Sequence, residues 1–113
     1  MKIVDQISVA ELKEMSKKMF DDIVKADVDV AKRIVVLDMA MHFDGEQYLL
    51  SQGSDQSDLW GINLYPDDYG TEDFIEFDSM INIRPSQGNR TRSVEDETIQ
   101  DIIRGIIDEV VHE

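Results

Sequence analysis

The sequence predicts an α+β fold: a mostly antiparallel sheet with an N-terminal and a C-terminal helix packed on one face, in a single domain over residues 1–113. Three observations carry this. A capped amphipathic helix opens the chain, short apolar segments with period-two alternation fill its middle, and an aliphatic stripe at helical spacing closes it. A chain of 113 residues suits one core that buries roughly two thirds of its unfolded surface.

Lys2 to Gln6 reads as a short first strand. Ser8-Val9-Ala10-Glu11 then has the form of a capping box, and Leu12, Met15, Met19, Phe20 and Ile23 recur at spacings of three and four, so a helix starts there. Lys25 to Val30 and Arg33 to Phe43 are rich in β-branched and apolar residues, parted by a turn at Ala31-Lys32. Asp44-Gly45 is a favoured hairpin dipeptide and predicts a turn between Ala40–Phe43 and Glu46–Leu50. The competing reading is a short helix from Asp44 to Leu50 with Gly53 just beyond its end.

Leu59 to Tyr65 alternates, with Trp60, Ile62 and Leu64 on one face. Phe74 to Arg84 alternates likewise, with Ile75, Phe77, Ile81 and Ile83 as its core face and Pro85 as its stop. A polar loop, Pro66 to Asp73, joins the two. The last helix is expected from about Glu95 to Val111, with Ile99, Ile102, Ile103, Ile106, Ile107, Val110 and Val111 facing the sheet; Gly105 weakens it and could admit a close strand.

Composition narrows the function. Hydrophobic residues make up 42% and charged residues 32%, enough apolar side chain to fold despite a net charge of -14. The absence of cysteine removes disulfides, thiolate metal sites and thiol nucleophiles. The start lacks a signal peptide's apolar region, and no apolar run nears the ~20 residues of a bilayer span, so a cytoplasmic protein with no membrane contact is expected. Residues 34 to 83 hold no Lys or Arg but eleven Asp and Glu, which argues against nucleic acid as a partner.

On the outer face of the two long strands, Asn63, Tyr65, Glu76, Asp78, Asn82 and Arg84 would form a polar platform. Glu76 and Asp78, two residues apart, are weak candidates for a shared cation, and with Asn82 and Arg84 they outline a small metal-dependent hydrolase as the alternative function. His42, Asp44 and Glu46 alternate, but do not supply the ligand set that zinc wants. No phosphate-binding glycine loop or nucleophile elbow is present, and no cofactor is implied. The balance favours a non-enzymatic role.

The remaining concentration of chemistry is the loop Asn82-Ile83-Arg84-Pro85-Ser86-Gln87-Gly88-Asn89-Arg90-Thr91-Arg92. Gly88-Asn89 can turn the chain so that backbone amides form an anion-binding concavity, and Arg84, Arg90 and Arg92 offer forked donors. Ser86, Gln87 and Asn89 add polar groups. The expected partner is a protein or a small anion, with Asn82, Asn63 and Tyr65 extending the surface; the arginines could instead only neutralise nearby acids.

The segment Asp58 to Pro66, DLWGINLYP, and the run Phe74 to Arg90, FIEFDSMINIRPSQGNR, resemble motifs of a family of short, mainly prokaryotic, uncharacterised proteins classed as a domain of unknown function. The resemblance spans nearly the whole chain. It implies a compact single domain in a prokaryotic cytoplasm and transfers no catalytic residue.

Overall fold

In the computed structural model, which describes residues 1–113, the chain opens with two short strands, β1 (Lys2–Val4) and β2 (Ile7–Ser8). Helix α1 (Val9–Met19) follows, and the Ser8 hydroxyl accepts the Glu11 amide at 3.1 Å as the capping pattern requires. Strands β3 (Val24–Asp29) and β4 (Ile34–Leu37) form a hairpin. Their turn has no Gly or Asn because Asp29 builds it from the side: its Oδ1 accepts the amides of Ala31 and Lys32, both at 2.9 Å, and Arg33 takes a positive φ of 57°. After helix α2 (His42–Ser51) come strands β5 (Leu59–Leu64) and β6 (Ile75–Glu76), helix α3 (Glu97–Val110) and strand β7 (Val111–His112).

The five-stranded sheet has the order β1-β4-β3-β5-β6, antiparallel throughout. The central pair is in register with Asp27 opposite Gly61 and Val28 opposite Trp60. A two-residue parallel pairing of β2 with β7 ties the start of α1 to the end of α3. As predicted, the N-terminal and C-terminal helices share one face. Leu12 of α1 and Ile103, Ile106, Ile107 and Val110 of α3 pack on Val24, Ala26, Val28, Trp60, Ile62 and Leu64.

Three expectations are corrected. The Asp44-Gly45 hairpin is the first turn and body of α2, so the competing helix reading holds there. Gly45 serves close approach instead of a turn: a Cβ at that position would stand 2.2 Å from Asp27 Oδ2. The helix covers the sheet face opposite α1 and α3, where Val36, Met39, Leu49 and Leu59 make a second small core. Every residue of β5 is consequently buried.

The long strand over Phe74–Arg84 is also absent. Only Ile75–Glu76 pairs with β5, and Met80–Asn82 forms a 3₁₀ turn capped by the Ser79 hydroxyl. Ile75 and Phe77 still pack against the main core, but Ile83 is exposed. In α3 the cap is Asp96, Ile102 is exposed, and a Cβ on Gly105 would meet nothing within 4 Å, so no strand approaches there.

Candidate functional site

The segment after β6 is held by asparagines. Asn82, fully buried, accepts the Gly61 amide at 2.8 Å through Oδ1 and donates through Nδ2 to the Gly61 and Arg92 carbonyls, both at 2.9 Å. Its side-chain amide thus pairs with the edge of β5 as a strand would. Asn89 donates to the carbonyls of Asn82, Thr91 and Ser93 and accepts the Glu95 amide. These two residues shape the loop from within.

The arginines go to three different places. Arg84 donates to the carbonyls of Gln56 and Leu59 and lies 4.3 Å over the Trp60 ring. Gln87 reaches the Ser57 carbonyl, so the loop clasps the segment before β5. Arg92 pairs with Asp78 at 2.6 Å, and Arg90 has no side-chain partner. Gly88 has a φ of 85°, and Ser86 is exposed at the tip. The amide concavity exists, but the chain's own carboxylate occupies it: Glu95 Oε2 accepts the Arg90 and Thr91 amides at 2.6 and 2.9 Å. Those amides hold the Glu95 carboxyl below its ordinary range. The hollow beside Gly88 and Asn89 is rimmed by Glu95 and Asp96.

Asn63, Tyr65, Glu76 and Asp78 do come together. Glu76 Oε1 accepts from Asn63 Nδ2 at 2.8 Å and from the Tyr65 hydroxyl at 3.1 Å, while Asp78 is engaged by Arg92. No three His, Cys, Asp or Glu side chains converge as a metal set.

A cleft that the sequence reading passed over lies on the other side of Asp78. It is lined by Lys25, Arg92, Ser79 and the imidazole of His42, and rimmed by Met41, Phe43 and Met80. Those three apolar side chains are 59%, 51% and 65% exposed, an unusual concentration around one depression. The signal was present in Met41, Phe43 and Met80, but the period-two reading of residues 40–43 and 74–84 assigned them to strands.

Gly61 lies beneath two of the lining residues, Ser79 and His42. A Cβ there would stand 2.6 Å from Ser79 and 3.1 Å from His42 Cδ2, so only glycine lets these two meet over β5. The cleft volume is about 180 Å³. This is less than the roughly 300–1,000 Å³ of a drug-sized ligand site, and suits a single side chain. A larger groove of about 930 Å³ runs along Tyr69–Ile75 against Arg104 and Asp108, but exposes no large apolar side chain.

Residues 1–110 match the sequence profile of the family described as Protein of unknown function (DUF5674). The chain belongs to that family. Neither the curated proteins nor the solved structures contain a match.

In this DUF5674 protein Lys25 and Arg92 are the charged side chains lining the cleft, and Arg92 is held there by Asp78. Burial pushes the His42 imidazole below its ordinary value of 6.5, so it is neutral at physiological pH, and its Nε2–H donates to the Ile62 carbonyl at 2.8 Å. The arrangement can hold an apolar group and place a cation beside it. With Ser79 capping the Ile81 amide and His42 turned to a backbone carbonyl, it lacks an activated nucleophile. No helix is long and apolar enough to cross a membrane.

Proposed function

We propose that this DUF5674 protein is a non-enzymatic interaction module. Its cleft receives an apolar side chain of a protein partner, and a carboxylate next to that side chain meets Lys25 and Arg92. The observation that carries this reading is the exposure of Met41, Phe43 and Met80 around one side-chain-sized depression. Flexible methionines adapt to a partner's shape, and aromatic and methionine side chains are enriched where proteins meet.

Charge favours an acidic group on the partner, because Lys25 has no ion-pair partner and the cleft lining holds no carboxylate, while Arg92 is shared with Asp78. Repulsion from the rest of the -14 chain is screened beyond about 8 Å at physiological salt. Arg92 brings one end of the arginine loop into this surface. The metal-dependent hydrolase built on Glu76 and Asp78 has less support, since Asn63, Tyr65 and Arg92 already engage those carboxylates.

The test uses a fluorescein-labelled eight-residue peptide alternating Leu and Glu, with Gln-for-Glu and Lys-for-Glu counterparts, read by polarization. The Glu peptide should bind roughly fivefold tighter than the Gln peptide, the yield of one or two exposed ion pairs. Met41→Ser/Met80→Ser should abolish binding of both. If no peptide binds, or the double substitution changes nothing, the docking reading fails. If the Lys peptide binds best, the acidic rim fails and the apolar cleft stands.

A further inference from the structure

The polar face of the central strands carries a second feature, outside the cleft and beyond the docking reading. Asp27 lies at the middle of β3 with no exposed surface, and Glu46 of α2 is 4% exposed. Both Asp27 oxygens and Glu46 Oε2 are buried without a hydrogen-bond partner. The Glu46 amide faces Asp27 but does not close a hydrogen bond with it. Gly45 brings the backbone of α2 directly onto this carboxyl, as the 2.2 Å to a notional Cβ shows. The polar group under the helix is therefore an unsatisfied acid, and the helix sits close enough to it that no side chain would fit between them.

We infer that the seat of α2 on the sheet is a proton-dependent latch: α2 lies flat on Asp27 while that carboxyl carries its proton, and lifts when the proton is lost. A neutral carboxyl without partners already carries a cost there, and an ionised one, close to a second acid in a dry site, costs far more. The charged groups around the pair do not relieve this. Asp44, also on α2, adds repulsion; Lys25, two residues along β3, offsets only part of it. Beyond them, the guanidinium of Arg84 lies within Coulombic reach of Glu46 and of Asp58, and is not among the charges that act on Asp27.

The direction of the pH effect follows. Burial, reinforced by Glu46, raises the Asp27 value from 3.8 to about 9 in the seated state. Lifting α2 returns Asp27 to water and to its ordinary value. Between those two values the seated state holds a proton that the lifted state releases. Seating is complete at acid pH and weakens as pH rises toward the upper value, with the opening constant growing by up to about tenfold per pH unit.

Amide hydrogen exchange of the whole chain between pH 6 and 8.5 tests this, after correction for intrinsic exchange. Amides of residues 46–50 in α2 should open about tenfold more per pH unit in the native protein, while the β3–β5 ladder stays protected. In Asp27→Asn, which mimics the protonated acid, the α2 opening should be flat with pH. The latch is overturned if α2 and the ladder lose protection together, or if Asp27→Asn keeps the native slope. Should Asp27→Asn fail to fold, Glu46→Gln decides: it should slow α2 opening at pH 8, and an unchanged or faster opening refutes the latch.

Discussion

Replacing Asn82 by Ala should be among the most damaging single changes in this protein, although Asn82 lies in a 3₁₀ turn outside the helices and strands. Its side chain is fully buried and satisfies three backbone groups: the Gly61 amide and carbonyl and the Arg92 carbonyl. Alanine leaves the two Gly61 groups without partners at the edge of a wholly buried strand. An orphaned buried backbone group costs ~1–3 kcal/mol, so the two together predict a loss of about 4 kcal/mol, with the Arg92 carbonyl adding less because water can reach it. Against a total of roughly 5–15 kcal/mol for a domain of this size, that is a large fraction. Urea unfolding followed by circular dichroism and by the fluorescence of Trp60, the only tryptophan, gives the number. Asn82→Asp sharpens the test: it keeps an acceptor for the Gly61 amide but sets a carboxylate against two carbonyls, so it should be nearly as harmful at pH 7 and milder at pH 4. A loss below about 1 kcal/mol for Ala, or an Asp variant tolerated at neutral pH, would refute the assignment of Asn82 as the side chain that completes β5.

Three further outcomes are expected. Gly105→Ala should stabilise by about 1 kcal/mol, raising Tm by ~4 °C, because the added Cβ meets nothing within 4 Å and the helix gains propensity; calorimetry reads it. Gly61→Ala should destabilise by ~2–3 kcal/mol in chemical denaturation, since its Cβ would stand 2.6 Å from buried Ser79. Glu95 holds the Arg90 and Thr91 amides with a carboxyl value lowered from 4.5, so this contact is complete above that value and is lost as pH falls through the lower one. The amide proton shifts of Arg90 and Thr91 should report that titration, and Glu95→Gln should abolish it.

Much of the fold was legible because its signals are local. The Ser8 cap, the alternation of Trp60, Ile62 and Leu64, and the Ile103/Ile106/Ile107 stripe each act within a few residues, and the structure uses them as the sequence suggested. Helix α2 was misread because Asp44-Gly45 satisfies a hairpin rule while its actual role, letting a helix press on Asp27, depends on a strand far away in the chain. The Phe74–Arg84 alternation failed for a related reason. Ser79 and Asn82 divert the backbone into a turn that Asn82 secures to Gly61, 21 residues earlier, a bond that no local pattern announces. The cleft is hidden with it, since Met41, Phe43 and Met80 meet only through the start of α2 and the 3₁₀ turn that stand where the sequence predicts strands.

The docking cleft is tested most directly by the methionine methyl groups, of which the chain has six. In a protein labelled with ¹³C-methyl methionine, adding the unlabelled Leu/Glu peptide should shift and broaden the methyl signals of Met41 and Met80, which rim the cleft. Met39, buried under α2, and Met1, Met15 and Met19, which lie elsewhere, should stay in place. Unmoved Met41 and Met80 signals, or equal shifts at the exposed Met1 and Met19, would contradict the assignment of this cleft as the surface through which the protein works.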